Sequence, residues 1–126
     1  MKLHLTQSEG QNLITGYDED YIEINRQRHH CNVIVTANSL MVDWPASSSH
    51  LAIEDLKAHD FEPIMKLKPE VVLLGTGKGH RFLHPNLYQP LIEQGITLEC
   101  MTTAAACRTY NILMSEGRNV AAMLII

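Results

Sequence analysis

The sequence predicts an α/β fold: a single three-layer domain with a mixed, partly parallel central sheet, helices after the strands, and an antiparallel β addition from the N-terminal third. Apolar, strand-like runs alternate with helix-like segments in the C-terminal half, at 70–74, 85–94, 96–100, 103–116 and 120–126. Such alternation indicates right-handed crossovers and a largely parallel or mixed sheet. The length of 126 residues suits one core, so we expect residues 1–126 to form one domain.

The first third of the chain has the patterns of antiparallel strands. Residues 21–25 alternate apolar and polar side chains, and so do residues 1–5. Residues 30–37 form a third run of this kind. Asn38 and Ser39 are typical of a turn before residues 40–43, so the sequence predicts a tight hairpin here.

Proline and serine mark the boundaries of the predicted helices. Pro45 ends the preceding strand, and serines 47 to 49 offer an N-cap for a helix over about 50–58. A further turn of helix is expected at 64–67. Pro85 lies in the first turn of the next predicted helix, and glycines follow the ends of both C-terminal helices.

The composition argues against some classes of partner and location. The formal net charge of −4 does not suit a nucleic-acid partner, because phosphate binding relies on a basic stripe. No apolar stretch is long enough to span a membrane, and the first residues lack a signal-peptide or presequence pattern. Cys31, Cys100 and Cys107 form no CxxC pair, which agrees with a reducing compartment and buried thiols. We therefore expect a cytoplasmic protein.

The candidate binding site is the edge of the sheet at which the predicted strands 70–74 and 96–100 end. If these strands are parallel neighbours, a glycine turn and a helix N-terminus converge there with two cations, which favours a small anionic ligand. The residues concerned are Gly75, Thr76, Gly77, Lys78, Arg81, Thr102 and Thr103. A structural interpretation stays open: a strand exit that needs a positive φ, and threonines that only cap a helix.

No catalytic or cofactor motif accompanies this edge. The glycines from 75 to 79 lack the GxxxxGK[ST] spacing of a P-loop, and His80 stands where GxGxxG requires its third glycine. Neither His29-His30-Cys31 nor His80 with His84 has the geometry of a zinc site. GxSxG, HExxH and paired-carboxylate motifs are absent. The sequence therefore predicts no cofactor, no metal and no catalytic residue.

The predicted helix 103–116 carries two further candidates. Cys107 lies one turn inside the helix, where the helix dipole lowers a thiol pKa, but its apolar surroundings favour a buried, inert thiol. Arg108 shares a polar face with Asn111 and Ser115. Arg108 either binds a ligand or a partner, or it is only solvated or locally hydrogen-bonded.

Residues 69–125 resemble a known family. The likeness is carried by Val72 to Gly77, Gly95, Ile96, Glu99, Thr103, Ala106 to Asn111, Leu113, Glu116 to Arg118, Ala121 and Ala122. These residues are similar to the family of small domains that includes the mitochondrial complex I assembly factor 3. Several residues in register over two blocks make this likeness more specific than any single glycine motif in the chain.

The resemblance implies a compact three-layer α/β fold with a mixed central sheet and no established catalytic activity. For the mitochondrial relatives it implies a role in protein assembly through contacts with other subunits. Lys78 stands where an acidic residue is expected in those relatives, so we expect a bacterial member with an unknown protein partner.

The motif residues fit partner binding or a structural role. They are Cys107, Arg108, Tyr110, Asn111, Glu116 and Arg118. For the structural role, Tyr110 would tie its hydroxyl to a neighbouring loop, Asn111 would bond backbone, and Glu116 would pair with Arg118 around the Gly117 turn.

Two functions follow as hypotheses. The leading one is a non-enzymatic binding or assembly module that acts through protein contacts. The alternative is a small-molecule binding protein or enzyme, in which the loops at 75–81 and 102–108 hold an anionic or nucleotide-like ligand.

Overall fold

Two β-sheets frame the part of the chain that the computed structural model describes, residues 10–44 and 53–126. The smaller sheet is antiparallel and consists of β1 (Ile14–Asp18), β2 (Tyr21–Ile24) and β3 (Gln27–His29). The larger sheet consists of β4 (Val33–Thr36), β5 (Leu40–Val42), β6 (Val71–Thr76), β7 (Thr97–Met101) and β8 (Val120–Ile125), arranged in space as β5-β4-β8-β6-β7.

Helical segments connect these strands. Within the described residues the α-helices are α1 (Glu62–Leu67), α2 (Gln89–Glu93) and α3 (Thr103–Ser115). Short 3₁₀ turns lie at Ile53–Asp55, Ala58–Phe61 and Pro85–Leu87.

The centre of the larger sheet is parallel, as the alternation of strands and helices predicts. β6 pairs in parallel with β7 on one side and with β8 on the other, so that Leu73 lies opposite both Glu99 and Ala122. β4 pairs antiparallel with β8 and with β5, its partner in the predicted hairpin. Every residue of β6 and β8 is buried, which is typical of strands covered on both faces. The predicted mixed sheet is confirmed.

Alternate side chains of β6 face two different cores. Val71 and Leu73 pack with α3 and with apolar residues of the smaller sheet. Val72 and Leu74 pack on the opposite side with residues of α1 and α2 and with Trp44. The larger sheet is therefore the middle layer, because it has α3 and the smaller sheet on one face and the short helices on the other.

Some element boundaries differ from the prediction. β1 is not predicted, because Gly16 interrupts its short apolar run. The predicted strand 30–37 is observed only as Val33–Thr36, and residues 30–32 connect it to β3. The predicted strand at 1–5 and the capping serines 47 to 49 lie outside the described residues.

Two predicted helices are shorter than expected. The described part of the predicted helix 50–58 forms 3₁₀ turns rather than an α-helix. The predicted helix 85–94 divides into a 3₁₀ turn and α2, with Tyr88 between them at φ −119° and ψ 14°. Pro90 explains the division: it has no amide proton to continue a helix from Pro85, yet it fits the first turn of a new one.

Candidate functional site

The carboxyl ends of β6, β7 and β8 meet at one edge of the larger sheet, beside a cavity of about 630 Å³. The carboxyl ends of parallel neighbours lie at the same edge, so the loops that follow them converge. Six of the seven residues predicted for an anion site line this cavity: Thr76, Gly77, Lys78, Arg81, Thr102 and Thr103. The structure thus brings these residues onto one surface.

Thr76 ends β6 and organises the segment that follows it, residues 77–84, which we call the β6 loop. The buried Thr76 hydroxyl donates toward the carbonyl oxygens of Gly79 (2.6 Å) and Met101 (3.1 Å). It accepts a hydrogen bond from the Arg81 amide at 3.2 Å. A hydroxyl has a single proton, so these contacts use its whole capacity as a donor. Thr76 therefore shapes the loop.

Gly75 and Thr103 form a close contact between β6 and α3. A Cβ atom on Gly75 would lie 2.9 Å from the Thr103 Cα atom, so a larger residue would force a backbone shift. The Thr103 amide donates to the Gly77 carbonyl at 3.0 Å, while the Thr103 hydroxyl accepts from the Gly77 amide at 2.9 Å and donates to the Ile125 carbonyl. Gly77 has a φ of +91°, so this strand exit does need the positive φ of the structural interpretation.

Thr102 is the N-cap of α3, as predicted. Its hydroxyl accepts from the Ala105 amide at 3.3 Å, and its carbonyl accepts from the Ala106 amide at 2.9 Å. Among the described residues, no acceptor is placed to bond the Ala104 amide, and Ala104 lines the cavity. Since a helix N-terminus is electropositive, this amide is available to an anion.

Acidic side chains also line the cavity. Lys78 Nζ lies 3.1 Å from Glu19 Oε2, and Asp18 and Glu54 contribute to the wall. Arg81 has no ion-pair partner within the described ranges. The predicted positive feature is therefore reduced to Arg81 and the start of α3. Sequence reasoning misses the acidic residues because no motif marks them: Asp18 ends β1, Glu19 follows it, and Glu54 lies in the first 3₁₀ turn.

Tyr110 and Asn111 of α3 hold β1 and the residues before it. The Tyr110 hydroxyl donates to the Asn12 carbonyl at 2.8 Å. Asn111 Nδ2 donates to the Ile14 carbonyl at 2.7 Å, and Asn111 Oδ1 accepts from the Ile14 amide at 3.0 Å, much as a neighbouring strand would. Burial raises the pKa of Tyr110, so its phenol stays neutral at physiological pH. These hydrogen bonds are the contacts that the structural interpretation of the two side chains predicts.

Arg118 pairs with Glu70, so the predicted pairing with Glu116 is wrong. Arg118 Nε lies 2.9 Å from Glu70 Oε1, which also accepts from the Asn119 amide at 2.9 Å. The hydrogen bond from Arg118 is the largest cause of the lowered pKa of Glu70. The Glu70 amide bonds the Asn119 carbonyl, and this backbone contact brings Arg118 beside residue 70.

Cys107 and Arg108 occupy opposite environments on α3. Cys107 is only 1% exposed and packs in the core between α3 and the sheet. Burial raises the pKa of its thiol to about 12, so the thiol is protonated at neutral pH. Arg108 is exposed, and its Nη1 donates to the Tyr17 hydroxyl at 2.8 Å. The interpretation of Cys107 as a buried thiol is correct, and Arg108 links α3 to β1.

The histidines of the β6 loop have local contacts. The His80 ring lies 4.5 Å from the Phe82 ring, between centroids, and His84 Nδ1 accepts from the Asn86 amide at 3.2 Å. In residues 10–44 and 53–126, no group of three or more His, Cys, Asp and Glu side chains is placed to hold a metal ion. No helix in these two ranges is both long and apolar enough to cross a membrane.

Known proteins resemble this chain over most of its length. A family model described as a protein of unknown function (DUF498/DUF598) matches residues 14–125. The NADH dehydrogenase (ubiquinone) 1 alpha subcomplex assembly factor 3 of Mus musculus is 36% identical over 87 residues, which cover 68% of this chain and 45% of that protein. The chain thus spans about half the length of this relative.

Two solved structures share the fold. A crystal structure of a Bordetella parapertussis protein has a TM-score of 0.84 and 35% identity, and the match covers 94% of this chain and 98% of that one. A solution structure from Bordetella pertussis, described as a Mth938-like domain, has a TM-score of 0.81 and 31% identity, with 99% and 92% covered. The α/β fold and the resemblance to the family that includes assembly factor 3 are confirmed.

Proposed function

The chain belongs to the DUF498/DUF598 family, and we propose from this premise that it is a non-enzymatic binding or assembly module that acts through contacts with another protein. A relative with 36% identity is named as an assembly factor of NADH dehydrogenase, which supports a role of this kind. The proposal concerns the type of action, contact with a protein, and leaves the partner's identity to experiment.

One observation carries the proposal: the hydroxyl and amide side chains of the conspicuous motifs already form hydrogen bonds with backbone groups. Thr76 and Thr103 bond backbone groups around the glycine turn. Tyr110 and Asn111 bond the chain at Asn12 and Ile14. Groups held in this way stabilise a surface for binding, whereas a catalytic acid, base or nucleophile must be free to reach its substrate.

Co-purification at native expression level tests the proposal. A tagged wild-type chain should retrieve a protein in stoichiometric amount, and an unrelated tagged domain of similar size should not. Deletion of the gene should lower the amount of the complex that contains this partner. A chain that always elutes alone, together with wild-type behaviour on deletion, would contradict the proposal.

A second candidate function is the binding of a small anion in the cavity at the sheet edge. The combination of Arg81 with the Ala104 amide at the start of α3 favours it, because both donate hydrogen bonds to negative oxygens. Glu19 opposes it, since its carboxylate already pairs with Lys78. A ligand at this place would therefore be compact and would lie nearer to Arg81 than to Lys78.

Thermal-shift measurements in low salt, with nucleotides, phosphosugars and carboxylates, test the second candidate. A ligand at a hundred times its Kd should add about 2.7 kcal/mol to the free energy of unfolding. Added salt and Arg81→Ala should both reduce this gain, Glu19→Gln should increase it because it frees Lys78, and Lys66→Ala on α1 is the control. Stabilisation by none of these compounds would remove the candidate.

A further inference from the structure

Phe82 stands apart from the other large apolar side chains. It is 85% exposed, against 56% for Ile112 and less for the others in the described part of the chain. Single exposed apolar residues are common on protein surfaces, so exposure alone does not mark a contact site. Three further features support a contact site here: the contacts that restrain the β6 loop, an adjacent hollow and the local charge.

The backbone on both sides of Phe82 is held in place. The Arg81 amide bonds the Thr76 hydroxyl at 3.2 Å, and Leu83 packs against the core beneath α2. The His80 ring packs on the Phe82 ring, with centroids 4.5 Å apart. These contacts restrain the loop on both sides of the aromatic ring, and such restraint lowers the entropy cost of binding.

A hollow of about 230 Å³ adjoins the Phe82 ring. Leu83, Leu87 and Ile53 give it apolar walls, and Arg81 lies at its margin. Its volume suits a single side chain of a partner rather than a cofactor. A projecting aromatic side chain beside an apolar hollow is typical of the central contacts of protein interfaces.

The charge of this region differs from that of the rest of the chain. Residues 71–92 contain Lys78 and Arg81, whereas all fourteen Asp and Glu residues of the chain lie elsewhere. Of the two cations in 71–92, Lys78 pairs with Glu19, whereas Arg81 has no ion pair among the described residues, although Glu54 also lies at the hollow. A partner surface that carries carboxylates complements this loop.

We propose that the β6 loop binds an acidic, amphipathic segment of a partner protein, with Phe82 inserted among its apolar side chains and Arg81 paired with one of its carboxylates. This inference rests on the proposed function, because it names the surface and the partner chemistry of the same binding module. An apolar side chain of the segment fills the hollow beside Phe82.

A fluorescent peptide of about twelve residues, with Leu and Phe on one face of a helix and Glu on the other, is the probe. It should bind the full chain and shift the amide resonances of residues 78–84. Phe82→Ala and Arg81→Glu should each weaken binding at least about tenfold. Ile112→Ala and Lys66→Glu, which change an exposed apolar residue and an exposed cation elsewhere, should leave it unchanged.

Two companion probes separate charge from apolar contact. The same peptide with Gln in place of Glu should bind more weakly, and the Lys version should bind weakest. No binding of the Glu peptide, or binding that Phe82→Ala and Arg81→Glu leave unchanged, would overturn the inference. Binding to vesicles of phosphatidylcholine with phosphatidylglycerol, lost in Phe82→Ala while the peptide fails to bind, would assign the loop to a lipid surface and also overturn it.

Co-purification with the same variants distinguishes this failure from failure of the proposed function. A partner that is retained by wild type and lost from Phe82→Ala supports both. A partner that is retained equally by wild type, Phe82→Ala and Arg81→Glu keeps the binding module but overturns the β6 loop as its surface.

Discussion

α3, which begins at the cavity, and the β6 loop, which borders the same cavity, differ in how the fold uses their side chains. At α3, Thr103, Tyr110 and Asn111 bond backbone groups of other elements. In the β6 loop, Phe82 projects into solvent and Arg81 has no ion pair in the described part of the chain. One region holds the fold, and the other is the surface that we propose for a partner.

This contrast separates a conspicuous motif from an accessible surface. The glycine turn and the motif of α3 are the most distinctive patterns in the sequence. Their donors and acceptors nevertheless form hydrogen bonds with backbone groups of the fold. The part of the β6 loop around Phe82 belongs to no motif, and its proposed role rests on the exposure of Phe82 and the charge of Arg81. Substitutions should therefore divide into those that change stability and those that change binding.

Gly75→Ala should have the largest effect on stability. Its Cβ atom would lie 2.9 Å from both Cα and Oγ1 of Thr103, so β6 and α3 would have to move apart. We expect a loss of about 3 kcal/mol in the free energy of unfolding, measured by urea denaturation. Gly79→Ala is the matched control, since the nearest atom to its Cβ is 4.0 Å away. Equal effects of the two substitutions would refute the close contact.

Asn111→Ala should have the next largest effect. It leaves the amide and the carbonyl of Ile14 without their side-chain partner. Unsatisfied backbone groups in this partly buried position should cost about 2 kcal/mol. Ser115→Ala, which removes an exposed hydroxyl bond to the Ile112 carbonyl on the same helix, should cost little. Loss of β1 protection in hydrogen exchange should accompany the effect of Asn111→Ala.

Cys107 should make stability fall in alkaline solution. Burial raises its pKa from 9.0 to about 12, so between these pH values the unfolded chain ionises the thiol and the folded chain does not. Its contribution is present below pH 9 and is lost as pH rises toward 12, at no more than about 1.4 kcal/mol per pH unit. Cys107→Ala should reduce this slope in urea titrations from pH 8 to 11. Tyr110 contributes a slope of the same sign.

The native Cys107 thiol should also resist alkylation at pH 8 and react once the chain unfolds. Mass mapping of the labelled cysteine identifies the site. Rapid labelling of Cys107 in the folded chain would contradict its burial and revive the interpretation of a reactive thiol.

Arg118→Ala should have the smallest effect. Arg118 and Glu70 form their ion pair at the surface, where solvent screens it. We expect a melting temperature indistinguishable from that of wild type. Glu116→Ala should behave in the same way, but only Arg118→Ala should raise the lowered pKa of Glu70, which carboxyl NMR titration measures. An unchanged pKa of Glu70 in Arg118→Ala would contradict the pairing of these two side chains.

Local patterns were sufficient to predict the elements whose apolar runs and caps are visible in the sequence. The apolar runs of β6 and β8 and the cap at Thr102 predict the parallel sheet and α3 correctly. β1 was not predicted because Gly16 interrupts its apolar run, and Asn111, which bonds the Ile14 amide and carbonyl, lies 97 residues away. β1 pairs locally with β2, but its contact with Asn111 is tertiary and no local pattern contains it.

The candidate site divides in the same manner. Parallel pairing of β6 and β7 was sufficient to predict that Thr76 and Thr103 lie at the same edge of the sheet. The approach of Glu19 to Lys78 was not predictable, because it depends on how the smaller sheet packs on α3. The exposure of Phe82 was not predictable either, since the sequence does not say whether a loop phenylalanine packs inward.

The affinity of the acidic amphipathic peptide for folded Asn111→Ala and for folded Phe82→Ala tests the central claim most directly. Each variant is measured by fluorescence anisotropy well below its melting temperature. We predict that Asn111→Ala binds like wild type despite its lower stability, and that Phe82→Ala loses at least about tenfold in affinity while its stability stays within about 0.5 kcal/mol. Loss of affinity in folded Asn111→Ala, with Phe82→Ala unaffected, would contradict the account.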